Sequence, residues 1–342
     1  MTSQPINTRF TQLAYATRNG HAECIYSGSI AVVDKTGRLI AYAGDPACYT
    51  FSRSTLKPFQ ALPFVRAGGI DHFGLDSKQI ALMCASHSGE DLHIATVSDM
   101  LKKFGCTEAD LGCGCHLPKR YQNGVIPPAD FKVDQRHNNC SGKHAGFLGF
   151  CRMHDLPTEG YLDPSHRLQR EVIETVAQMA ELDKDMLWLG IDGCNAPNVG
   201  MPLARLAWLW AQFGSARSDG PDEQCAMSAL ADAMMTHPEM YSGSGRADNA
   251  ITRIGHGRWV SKTGADGVRC IGIRERELGI ALKLVDGNSL AADAVIIEVM
   301  RQLNVISPTE YDELHAWAGP VIRNCVGNEV GAYRTAFELT YI

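Results

Sequence analysis

Apolar positions along the chain follow two different periods, and the change between them divides it. Residues 29–43 read as a β-hairpin: Ile30-Ala31-Val32-Val33, a turn at Asp34-Lys35-Thr36-Gly37, then Leu39-Ile40-Ala41-Tyr42. Helical spacing takes over at about 55–67, 90–104, 141–153, 164–182, 202–213 and 221–236. Between 258 and 285 the period shortens again, and Trp259-Val260, Val268 to Ile273 and Leu278 to Leu284 predict an antiparallel meander. A helix over Leu290 to Leu303 follows, capped by Asn288 or Ser289. Residues 112–134, rich in Gly, Pro and Cys, read as a long loop of the kind that carries function. The expected architecture is α+β: an antiparallel sheet assembled from both termini, flanked by helices. A mainly helical lobe at roughly 90–250 is inserted, and residues 1–342 form a single two-lobed domain. The chain shows neither an internal repeat nor a low-complexity linker.

Composition narrows the function classes. A net charge of −6 without long runs of one sign argues against nucleic acid or anionic membrane as the main partner. Met1 to Arg18 lacks the apolar stretch of an export signal, and no segment approaches a membrane span. A soluble cytoplasmic protein is therefore expected. Twelve cysteines are many, but most sit in apolar runs such as Leu82-Met83-Cys84-Ala85, where a free thiol behaves as a small hydrophobe. Reduced thiols are the expectation.

Four segments carry candidate chemistry. Ser54-Thr55-Leu56-Lys57-Pro58 opens a predicted helix and puts a lysine amine on the same face as a serine hydroxyl, which needs a base to act as nucleophile. Lys262-Thr263-Gly264 follows a short strand, and S-x-x-K with a downstream K-T-G is the combination used by serine β-lactamases and penicillin-binding enzymes. In that arrangement the small Gly264 lets substrate lie close. Cys84-Ala85-Ser86-His87-Ser88-Gly89-Glu90 takes the middle slot of the order, with Ser86 as its hydroxyl; His87 is a base or a hydrogen-bonded structural residue. Asn138-Asn139-Cys140-Ser141-Gly142-Lys143-His144 and the later Gly190-Ile191-Asp192-Gly193-Cys194 hold two cysteines and a lysine that a metal could bridge. Cys113-Gly114-Cys115-His116 looks like a metal knuckle but lacks a second cluster, and is read as structural.

Taken together, these motifs resemble one family, the thermolabile rhizobial-type (class 3) L-asparaginases, over about residues 27–341. The resemblance implies a fold related to the serine β-lactamases, a homodimer, and hydrolysis of L-asparagine to L-aspartate and ammonia. It implies two catalytic tandems, Ser54 with Lys57 and Ser86 with Lys262. It also implies a zinc site at Cys140, Lys143 and Cys194, and substrate-side neighbours at Arg53, Asp192 and His144. The zinc would position the amino-acid head group rather than activate water. The order of the two serines stays open. Two other readings stand beside this one: a β-lactamase-like or penicillin-binding-like acyl hydrolase, and a non-catalytic amino-acid or zinc-binding protein.

Overall fold

A computed structural model describes residues 9–122 and 124–342. Its strands are β1 (Thr11–Arg18), β2 (His21–Asp34), β3 (Leu39–Ala43), β4 (Tyr49–Phe51), β5 (Trp188–Ile191), β6 (Pro197–Pro202), β7 (Trp259–Thr263), β8 (Val268–Ile273), β9 (Leu278–Leu284), β10 (Val321–Arg323), β11 (Glu329–Thr335) and β12 (Thr340–Tyr341). The helices that bear on the site are α1 (Lys57–Arg66), α2 (Ser77–Met83), α3 (Ser141–Met153), α4 (Leu203–Gly214), α5 (Ala247–Ile254) and α6 (Ser289–Gln302).

Strands from both ends of the chain interleave in one antiparallel sheet of order β10-β11-β1-β2-β9-β8-β7, with β3 pairing β2 and β12 pairing β3. A separate antiparallel sheet, β4-β6-β5, lies beside it. Side chains alternate across a strand, so each face of β2 serves a different core. Ile30 and Val32 join Ile271, Ile280 and Leu282 against α6, whereas Ala31 and Val33 face the core built by α1, α2, α3 and α4. The large sheet is thus buried on both faces, and its strands β8 and β9 are near-continuous apolar runs for that reason.

The hairpin, the meander and the Asn288 cap appear where the periodicity puts them; the Asn288 side chain accepts from Ala291 N at 2.9 Å. The apolar residues Ile80 to Met83 lie in a helix, α2, whose start is fixed by a capping box between Asp76 and Gln79. The helix expected at about 55–67 is α1. All twelve cysteines are free, and among the described residues no helix is long and apolar enough to cross a membrane.

Candidate active site

Ser54 stands in a turn of 3-10 helix, Arg53–Leu56, that runs directly into α1 at Lys57. In a 3-10 turn residues three apart eclipse each other, so the chain stacks the Lys57 side chain against the position of Ser54. Pro58 sits in the first turn of α1, where it removes no backbone hydrogen bond. The turn is entered through a strained backbone. Arg53 has φ of +51°, a left-handed conformation uncommon for a side chain of this size and concentrated at functional sites.

Lys57 is 1% exposed and Lys262 is not exposed at all. Both amines converge on one oxygen: Nζ of Lys57 is 2.8 Å, and Nζ of Lys262 2.9 Å, from Oγ of Ser86. Lys57 also donates to Ala85 O at 2.5 Å, and Lys262 to Thr263 O at 3.0 Å. Ser86, expected to pair with Lys262 alone, is therefore shared by both lysines. The Ser54 hydroxyl is half-buried and has no hydrogen-bond partner among the described residues, which leaves it free to turn towards a ligand.

Two ammonium groups on one hydroxyl oxygen repel each other, and burial removes the water that would screen them. Burial first, and the charge of Lys57 second, push Lys262 down from 10.5 to about 7. Lys262 can therefore give up its proton near neutral pH. With Lys262 neutral, Ser86 donates to Lys262 and accepts from Lys57. That is a continuous path for a proton.

Lys262 is held in place by residues that no motif marked. Asp248 on α5 accepts from Thr263 N at 2.8 Å and from Ser261 Oγ at 2.9 Å, fixing β7 on both sides of Lys262. Burial alone would raise the Asp248 carboxyl, but the charges of Arg269 and Lys262 outweigh it and hold the group at about 2. Arg269, 2% exposed, bonds Asp248 at 2.9 Å and pairs with Asp293 of α6. Tyr241 donates to Ser261 O at 2.9 Å. A lone arginine inside the apolar run Val268 to Ile273 was the available signal, because a buried guanidinium requires a carboxylate.

Gly264 is not where substrate finds room. A Cβ there would lie 3.1 Å from Ser52 O and 3.2 Å from Arg53 Cβ, so this glycine lets β7 pack against the Ser54 turn. His87 is buried, with Nε2 2.9 Å from Ser141 Oγ and its ring stacked on His93. Burial holds it well below the ordinary histidine range, and its contacts make it a structural residue.

Arg53 and Asp192 meet as an ion pair at 2.9 Å, and Asp266 from the β7–β8 turn binds the same guanidinium. Asp192 lies in the tight β5–β6 turn, closed by Asp192 N to Ala196 O at 2.9 Å, and Cys194 lies in the same turn. Opposite it, α3 presents Cys140 at its cap and Lys143 in its first turn. Nζ of Lys143 is 3.0 Å from Sγ of Cys194. Contact with Cys140 and the charge of Lys143 hold the Cys194 thiol far below its ordinary range. His144, expected on the substrate side, is fully buried; its Nδ1 meets Tyr161 Oη at 2.6 Å, and its Nε2, near Cys194, has no partner.

The donor chemistry here fits a zinc ion. Two thiols and an amine converge from α3 and the β5–β6 turn, with an orphaned imidazole nitrogen beside them. The fit depends on Lys143, since among the described residues no three His, Cys, Asp or Glu side chains are placed to hold a metal. The Cys113–His116 knuckle is tied up otherwise, with His116 Nε2 accepting from Asn139 N at 2.9 Å.

The pattern that defines L-asparaginase II matches residues 14–335, nearly the whole chain. The chain belongs to the L-asparaginase II family. The two-lysine site lies within the matched span. No curated protein matches it. Solved structures similar to this L-asparaginase II member include Mglu in its native form in 4.3 M NaCl (16% identity, TM-score 0.42), where 81% of this chain covers 60% of that one. A second structure of native Mglu gives 16% identity and a TM-score of 0.45 over 86% of this chain and 68% of that one. A β-lactamase from Mycobacterium bovis gives 14% and 0.39 over 84% and 94%. The chain thus spans about 60% of the length of the first of these. Likenesses so remote carry no argument about chemistry.

Proposed function

We propose that this protein hydrolyses L-asparagine to L-aspartate and ammonia through an acyl-enzyme on Ser54. The observation that carries the reading is the hydrogen-bonded series Lys57–Ser86–Lys262, whose first lysine directly follows the 3-10 turn that holds the half-exposed Ser54. Passage of a proton from Lys57 through Ser86 to neutral Lys262 leaves Lys57 with a free lone pair. Ser54 gives its proton to that amine as its oxygen bonds to the side-chain amide carbon. The Ser54 N–H, near the start of its 3-10 turn, is one of the donors a helix start leaves for an oxyanion. The same series returns a proton to the amide nitrogen as the C–N bond breaks and ammonia departs. Water, deprotonated by the same amines, then cleaves the ester and restores Ser54.

Zinc at Cys140, Lys143 and Cys194 is part of this proposal. The ion would supply Lewis acidity and a fixed charge, and Lys143 would bind it as the neutral amine. What these residues do in the reading is tie α3 to the β5–β6 turn, which fixes Asp192 and through it Arg53. A homodimer in the cytoplasm belongs to the same proposal. Side-by-side assay of L-asparagine, L-glutamine and nitrocefin tests the reading: ammonia release from asparagine without nitrocefin turnover supports it, and the reverse favours the β-lactamase-like alternative. Binding of asparagine without consumption favours the amino-acid-binding one.

A further inference from the structure

We infer that Asn198 on β6 is a positioning residue for Ser54: its side-chain carbonyl holds the left-handed turn at Arg53 that aims the serine; this rests on the reading of Ser54 as nucleophile. β4 pairs β6 in regular antiparallel register as far as Phe51, which lies opposite Gly200. The chain then leaves the strand, because Ser52 has helical backbone with φ of −69° and ψ of −23°. Ser52 nevertheless stays on β6, donating to Val199 O from its N at 2.9 Å and from its Oγ at 2.7 Å. One residue further, a side chain takes over from the ladder. Oδ1 of Asn198 accepts from Arg53 N at 3.2 Å.

Asn198 is 6% exposed, and this is the one hydrogen bond its side chain makes among the described residues. A buried amide that uses a single acceptor is a poor stabilising choice, since desolvation of its other polar atoms is not offset. What the bond does is local. The φ of +51° at Arg53 is a rotation about the bond between Arg53 N and its Cα, and Asn198 holds the peptide on the N side of that bond. A left-handed arginine persists only where its surroundings over-determine it. Asp192 and Asp266 hold the far end of its flexible side chain, and β7 closes against its Cβ at Gly264. The peptide before Arg53 is held by Ser52 and Asn198 instead. Ser54 follows this torsion directly, whereas the two amines are anchored elsewhere, Lys57 on Ala85 O and Lys262 on Thr263 O. Relaxation of Arg53 to ordinary backbone would therefore shift Ser54 while the Lys57–Ser86–Lys262 series stays in place. A misplacement of about 1 Å is enough to cost about 10²-fold in rate.

The test compares kcat and KM for L-asparagine in wild type, Asn198→Leu, Asn198→Ala and Asn198→Asp, with melting temperature and circular dichroism to follow the fold. Leucine keeps the volume of the side chain and alanine does not, but both delete the acceptor, so one folded variant of the two suffices. Its kcat is expected to fall by about 10²-fold, with KM changed far less. Aspartate presents the same oxygen to Arg53 N, and Asn198→Asp should recover part of the lost kcat. A merely structural role would instead make the loss of rate follow the loss of melting temperature across the three variants. Wild-type kcat in a folded Asn198→Leu or Asn198→Ala, or an Asn198→Asp as slow as Asn198→Leu, overturns the inference. Loss of the fold in both Asn198→Leu and Asn198→Ala makes the residue structural and overturns it as well. Absence of ammonia release by the wild type would defeat the asparaginase reading itself, and a wild-type rate in Ser54→Ala would defeat the assignment of the nucleophile.

Discussion

Replacing Lys262 by methionine should make the protein more stable at neutral pH while removing most of its activity. The amine is fully buried and lies at about 7 in the folded protein, against 10.5 for an ordinary lysine. Below 10.5 the unfolded chain takes up a proton that the folded protein resists, so stability falls as pH drops from that value to about 7. Below about 7 both states are protonated and the whole penalty applies. A shift of this size corresponds to about 4 kcal/mol of lost stability at pH 7. Methionine removes the penalty with little change in volume, but it also deletes the hydrogen bonds to Ser86 and Thr263 O. At about 1 kcal/mol each, these offset roughly half the gain and leave the variant about 2 kcal/mol more stable at pH 7. At pH 10 most of the penalty has gone, and the order should reverse. Urea denaturation of both proteins at pH 7 and pH 10 measures the gap, and ammonia release measures the activity, which should fall by about 10²–10⁴. A stability gap that does not change with pH would refute the depressed amine, and near wild-type activity would refute its place in the proton path.

Three further outcomes are expected. Ser54→Ala should fall below a tenth of the wild-type rate with its melting temperature unchanged, because a half-buried hydroxyl without partners contributes little packing; a scanning calorimeter and an ammonia assay suffice. Asp248→Asn should cost about 3–5 kcal/mol in urea denaturation, since it leaves the buried Arg269 half-paired. A change below 1 kcal/mol would show that Asp248 is not the anchor of β7. Cys194→Ala should lose bound zinc by elemental analysis, and zinc occupancy of the wild type should fall with pH as protons compete for thiolate and amine; wild type without zinc after loading would refute the metal site.

Much of the fold was legible because the meander and the long helices carry unambiguous periods. β1 was not: Leu13, Ala14 and Ala16 are its buried positions, and so short an alternation does not stand out among polar neighbours. The run at residues 80–85 is apolar on every side, which fits a buried helix or a strand equally well until its flanking cap is weighed. At the site, the serines and lysines were visible as motifs, but their pairing was not. Spacing suggests that Lys57 serves Ser54, and the family resemblance implies that Lys262 serves Ser86; only the packing of α1 against residues 84–86 brings both amines to Ser86. The anchors Asp248, Asp293 and Tyr241 come from segments with no motif, joined to the site through Arg269 and Ser261. Their contacts are long-range in sequence, so periodicity could not connect them.

The central claim is that Ser54 carries the acyl group and that Ser86 serves the proton path. Acid quenching of the wild-type protein during turnover of L-asparagine, with proteolysis and mass spectrometry, tests it directly. The account predicts an added aspartyl group on the peptide containing Ser54. An aspartyl group on the peptide containing Ser86, with Ser54 unmodified, would contradict it.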